Sequence, residues 1–219
     1  MANERFDMII SNVRRGISVA DIGCDHAYVS CRLVELGISE KVYASDVREG
    51  PLQCAKSNVE RFGYKDKITV RLADGLCGIE DFSPDDIIIA GMGGELIADI
   101  LNRCQYVKQH SVHLILQPMT CSYELRKYLC ENGYEILSES LCRDSGRIYE
   151  CISCRYCGNA QKYSEGDLYV GFKTDSQELF GEFLNSKIEK FKVIISGKRK
   201  AGLNTEYEEN VIRDLSGRL

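Results

Sequence analysis

The sequence predicts an α/β protein: a Rossmann-like, doubly wound and mostly parallel sheet with helices on both faces, closed by an antiparallel last strand and followed by a helical extension. Two observations predict it. From Ser18 to Gly133, short apolar runs alternate with amphipathic helical runs, the pattern of βα units whose sheet is covered on both sides. At Tyr134 the alternation gives way to two strand-like runs joined by the polar turn Asp144-Ser145-Gly146, a hairpin that places an antiparallel strand at the edge of the sheet.

Taken in order, Phe6, Ile9, Ile10 and Val13 recur at helical spacing, so a short amphipathic helix precedes the first strand, Ser18 to Ile22. AYVSCRLVEL is a helix ended by Gly37, KVYASD a strand, PLQCAKSNVERF a helix ended by Gly63, and KITVRLAD a strand. Glycine just past a helix supplies the left-handed backbone that closes it. DDIIIAG is a buried strand, ELIADILNRC a helix, HLILQ a strand, and SYELRKYLCEN a helix ended by Gly133. YEILSESLCR and RIYECISCRY form the hairpin, which completes a sheet domain over residues 1–158. The remainder, 159–219, is polar apart from YVGF until Ser176 to Lys200, a helix with Leu179, Phe183, Ile188, Phe191 and Ile195 roughly in register. A break at Gly202 and a shorter helical run to Leu219 follow, giving a helical extension packed beside the sheet.

Composition narrows the function classes. A chain of 219 residues with a net charge of −5 has one substantial core and no global basic field, so a nucleic-acid partner needs a local basic surface. Lys187, Lys190, Lys192, Lys198, Arg199 and Lys200 gather in the extension against Glu189 alone, as a solvated helix face or as such a surface. No run has the length of a membrane span, and the opening MANERFDMIISNV is charged and amphipathic, so a cytoplasmic protein without a membrane partner is expected. No protein partner is predicted. The 11 cysteines are scattered through strands and helices and read as reduced thiols. CISCRYC has the spacing of a cluster-binding loop, but on a strand Cys151 and Cys154 point to opposite faces, so no metal site is assigned.

Ligands in open parallel sheets bind where the strands end. The first strand ends at Asp21-Ile22-Gly23-Cys24-Asp25-His26, the second at Ser45-Asp46-Val47, the third at Ala73-Asp74-Gly75, and the fourth at Ala90-Gly91-Met92-Gly93-Gly94. A dinucleotide site needs glycines where this chain has Asp25 and Tyr28, and an aspartate there repels a pyrophosphate. S-adenosylmethionine carries no phosphate; its ammonium and sulfonium favour nearby carboxylates. Asp46, just past an apolar strand, suits the ribose hydroxyls, and Asp74 suits an adenine amino group. Any single aspartate of this kind is commonly only a helix cap. The cofactor site is therefore expected to comprise Asp21, Gly23, Asp25, Asp46, Val47, Asp74, Gly75, Gly91, Met92 and Gly93.

At VADIGCDHAY, ASDVREGPL, ADGL, IAGMGGELI and LILQPM the chain resembles the bacterial tRNA (adenine-22, N1)-methyltransferase family, and GRIYE and the helical extension resemble it too. The resemblance implies a class I S-adenosylmethionine-dependent methyltransferase fold, tRNA as partner, and methylation of adenine N1 at position 22 in the D-arm region. It also implies an extension that helps to hold tRNA, although here its heptad pattern is interrupted at Ser196-Gly197 and Gly202.

Adenine N1 lies on the Watson–Crick edge, so the base must be unpaired and turned into a pocket, where an acceptor for its exocyclic amine proton is needed. Asp25 and His26 are the candidates for that role, with Tyr28 placed to stack on or bond the base; a backbone-bonding His26 and a packing Tyr28 are the plain alternatives. The chain lacks the Asn/Asp-Pro-Pro-aromatic segment of enzymes that methylate the exocyclic amine, and has Gly91-Met92-Gly93-Gly94 in its place, a tight turn that leaves room for a base. Gln117-Pro118 ends the fifth strand on the substrate side. A noncatalytic cofactor- or RNA-binding adaptor, or a methyltransferase acting on a small molecule or protein, are the other readings.

Overall fold

A computed structural model describes residues 3–172 and 177–218. Its centre is a 7-stranded sheet in the order β3-β2-β1-β4-β5-β7-β6. The strands are β1 (Ser18–Ile22), β2 (Lys41–Asp46), β3 (Ile68–Leu72), β4 (Asp86–Gly93), β5 (His113–Thr120), β6 (Tyr134–Asp144) and β7 (Arg147–Tyr156). Those from β1 to β5 pair in parallel, and β7 is antiparallel to both β5 and β6. The last strand is antiparallel as expected, but it is not the edge: β7 inserts beside β5 and leaves β6 outermost. The hairpin turn explains the tight return, since Ser145 (φ 48°) and Gly146 (φ 77°) both adopt the left-handed conformation of a two-residue connection.

The helices are α1 (Glu4–Ser11), α2 (Tyr28–Glu35), α3 (Glu49–Arg61), α4 (Gly94–Asn102) and α5 (Ser122–Glu131), then α6 (Glu165–Val170), α7 (Gln177–Lys200) and α8 (Glu206–Ser216). Side chains alternate across the sheet and build two apolar layers. Ile87, Ile89, Leu114 and Leu116 pack toward α4 and α5, while Ile88 and Ile115 pack toward α1, α2 and α3. Cys151 and Cys154 fall into opposite layers, which matches the strand reading, and burial pushes both thiols up.

The C-terminal helices build a third apolar cluster from Phe183, Leu184, Ile188, Phe191, Val211 and Leu215, seated on Leu141 and Ile148 of the hairpin. Helix α7 passes through Ser196-Gly197 without a break; an added Cβ on Gly197 meets no atom within 4 Å, so this glycine faces open space. The chain reverses at Gly202 (φ 68°). Ser176 and Leu219, which bound the two expected helical runs, lie outside the described residues.

Half of the expected basic cluster is paired with glutamates. Lys198 pairs with Glu208 at 2.5 Å and Arg199 with Glu209 at 2.9 Å, both across the α7–α8 turn, and Lys192 pairs with Glu189 at 2.8 Å. Lys187 turns inward over the Phe183 ring, 4.6 Å from its centre. Counting charge along α7 alone missed the glutamates that α8 folds back onto it.

Candidate active site

The strand order reverses beside β1, and a cavity of about 600 Å³ opens there at the carboxyl ends of β1, β2 and β4. Each expected site residue except Gly93 lines it. Gly93 instead caps α4 beside Thr120, whose Oγ1 lies 3.3 Å from an added Cβ.

The first loop is held tightly. The amides of Gly23 (φ 72°) and Cys24 both donate to Ser45 O at 2.8 Å. A Cβ on Gly23 stands 2.1 Å from Met92 Cε, so the missing side chain makes a cradle that the flexible thioether now fills. Asp25 (φ 50°) and Ala27 (φ 57°) then take left-handed conformations that cost an L-residue about 1–2 kcal/mol each. The backbone there turns Asp25, His26 and Tyr28 toward the mouth, and Asn58 Nδ2 holds the turn by donating to His26 O at 2.9 Å.

Two aspartates are buried. Asp21 accepts from Ser30 Oγ at 2.6 Å, and its carboxyl is pushed up to about 6 by burial, with Ser30 opposing and the Asp46 charge adding. Asp46 accepts from the amides of Arg48 at 2.9 Å and Asp25 at 3.2 Å, which orients its carboxylate while leaving lone pairs to accept further donors. Burial and the Asp21, Asp46 and Asp25 charges push the Cys24 thiol up, so it is inert.

Asp25 is exposed at the mouth, 3.6 Å from His26 Nε2 and 3.8 Å from Arg48 Nη2. Tyr28 is exposed, its ring centre 5.6 Å from that of His26. Asp74 is also exposed and pairs with Arg103 of the α4 end at 3.1 Å, a partner that the sequence spacing does not reveal. Gly91 (φ 76°) is a bulge in β4 rather than a strand-to-helix turn, and its amide donates to Oε1 of buried Gln117 at 3.2 Å. Helix α1 brings Arg5, Phe6 and Ile9 to the opposite wall; its periodicity reads as packing, and no sequence signal marked it as part of a site. Among the described residues no group of His, Cys, Asp and Glu is arranged to hold a metal ion.

A cavity with four aspartates and a glycine cradle repels a dinucleotide pyrophosphate and fits a cofactor with two cationic centres. Together with the strand order, it defines a class I S-adenosylmethionine-dependent methyltransferase. The family model described as a methyltransferase domain matches residues 2–152. The tRNA (adenine(22)-N(1))-methyltransferase of Bacillus subtilis is 32% identical over 182 residues, spanning 83% of this chain and 74% of that protein. A Streptococcus pneumoniae protein solved in complex with S-adenosyl-L-methionine is 34% identical with a TM-score of 0.84, covering 98% of this chain and 99% of its own. The solved Bacillus subtilis m1A22 tRNA methyltransferase aligns with a TM-score of 0.81 at 27% identity, over 100% of this chain and 95% of its own. The chain belongs to the tRNA (adenine-22, N1)-methyltransferase family.

Proposed function

We infer that the protein methylates N1 of adenine 22 in the D-arm region of tRNA, with S-adenosylmethionine as methyl donor. The observation that carries this is the convergence of Asp21, Asp25, Asp46 and Asp74 on one cavity whose mouth is formed by His26 and Tyr28. With tRNA as acceptor, the protein is placed in the cytoplasm, and residues 159–219 are assigned as the extension that helps to hold the RNA.

When bound, the cofactor supplies an electrophilic methyl on a sulfonium. Asp46, oriented by the Arg48 amide, would accept the ribose hydroxyls, and Asp74, steadied by Arg103, would accept the adenine amino group. Asp21 would face the methionine end, and the bare backbone of Gly23 and Gly91 would let the chain approach the cofactor closely. Val47, Gly75 and Met92 complete the walls.

On the acceptor side, exposed Tyr28 stacks on the extruded adenine, and the cavity aligns the N1 lone pair, so that much of the rate comes from orientation. As N1 gains a methyl, the ring becomes cationic and must shed an exocyclic amine proton. Asp25 is positioned to accept that amine hydrogen, and His26 beside it relays the proton to solvent.

The test incubates the protein with labelled S-adenosylmethionine and unmodified tRNA transcripts and maps the product by mass spectrometry. The expected result is 1-methyladenosine at a single D-arm position. Asp25→Asn, which tolerates the left-handed backbone, is expected to lower kcat at saturating cofactor about 10²-fold or more. Unchanged kcat in that variant removes Asp25 from the proton step.

A further inference from the structure

Around the cavity, arginines stand beside carboxylates. Arg48 faces Asp46 at 3.4 Å and Asp25 at 3.8 Å, and Arg103 faces Asp74 at 3.1 Å. Arg5 differs: among the described residues its guanidinium forms no ion pair, its Nη1 meets only Met119 Sδ at 3.1 Å, and its Nε is buried without a partner. A thioether is a weak acceptor for a permanent cation. The guanidinium is nonetheless held in place, 5.4 Å from the centre of the Phe6 ring and 5.5 Å from that of Tyr149. An oriented, uncompensated fork on the wall of a cavity is an oxyanion site.

Its position selects the oxyanion. Met119 and Tyr149, which flank the Arg5 guanidinium, lie on β5 and β7. Asp21 and Asp46, which face the donor, lie on β1 and β2 instead. Arg5 therefore stands on the acceptor side. Adenosine itself is neutral, but each nucleotide brings a phosphate, and the cavity's aspartates repel it.

Given tRNA as the methyl acceptor, on which this inference rests, we propose that Arg5 is a positioning residue that holds a backbone phosphate of the target nucleotide. Its fork fixes the extruded nucleotide so that N1, rather than another edge of the base, faces the donor. The first helix is thus part of the RNA-binding machinery.

Arg5→Gln and Arg5→Lys are compared with the wild type for tRNA KM, kcat, cofactor affinity by calorimetry, thermal stability, and the salt dependence of tRNA binding. Arg5→Gln is expected to raise tRNA KM about tenfold or more while cofactor affinity stays within about twofold. The slope of log affinity against log salt is expected to fall by roughly 0.7–0.9, the loss of one phosphate contact, and Arg5→Lys is expected to recover the slope. A slope unchanged in Arg5→Gln overturns the proposal, whatever happens to activity. Weakened cofactor binding with normal tRNA affinity also overturns it and moves the oxyanion to the donor's carboxylate. If the wild type transfers no methyl to tRNA, the acceptor assignment itself fails and Arg5's role with it, whereas failure of the variants alone leaves that assignment standing.

Discussion

Asp21 shows how one side chain reconciles folding with ligand binding. Its carboxyl ionises near 3.8 in an unfolded chain and at about 6 here, because burial penalises the charge more than Ser30 relieves it. Below about pH 4 both states are protonated and the group costs nothing. Between about pH 4 and 6 the unfolded chain releases its proton while the folded state retains it, so stability from this group falls across that window and is fully lost above it. The shift from 3.8 to about 6 corresponds to about 3 kcal/mol above pH 6. Asp21→Asn is therefore expected to raise the melting temperature of the ligand-free protein at pH 8 and to gain much less at pH 4, while weakening cofactor binding. Melting curves at both pH values check it, and a pH-independent difference contradicts the assigned cause. Asp21 and Asp46 were legible in the sequence because a strand end followed by aspartate is a local pattern. Arg103 beside Asp74 was not, because the pair joins the end of α4 to the loop after β3 and depends on how those elements are laid together.

At the scale of elements, the glycine-rich end of β4 does two jobs. Gly91 bends the strand over the cavity, whereas Gly94 lets α4 approach α5: a Cβ there lies 2.1 Å from Cys121 O, 2.8 Å from its carbonyl carbon and 3.1 Å from Leu125 Cβ. Backbone cannot swing aside as a flexible side chain does. Gly94→Ala is expected to cost about 3 kcal/mol or more, read as a lower urea midpoint without a changed slope. The run Gly91-Met92-Gly93-Gly94 suggested a tight turn, yet β4 continues with irregular register to Gly93. Composition alone does not distinguish a bulge from a turn, since both use left-handed glycine; pairing with β5 decides between them.

For the whole molecule, the junction between sheet and C-terminal helices is a buried charge cluster. Arg126 of α5 pairs with Glu139 at 2.7 Å and with Glu150, and donates to Leu168 O of α6 at 3.2 Å. Burial pushes the Glu150 carboxyl up, but Arg126 and Lys187 outweigh it and hold the group below its ordinary range, so this contribution is present at neutral pH and is lost in acid. Arg126→Ala leaves two carboxylates buried without their cation and is expected to cost about 3–5 kcal/mol. Limited proteolysis is expected to show earlier cleavage near α6 in that variant, because the same arginine ties α6 to the sheet. The sequence by itself determined the βα alternation, the antiparallel last strand, the helical extension and the acidic strand ends, because periodicity and strand-end residues are local properties of the chain. Only the tertiary structure decided that β7 is interior, that α8 folds Glu208 and Glu209 back onto Lys198 and Arg199, and that α1 carries Arg5 to the cavity wall. Those outcomes depend on contacts between residues far apart in the chain, which packing selects and no local pattern records.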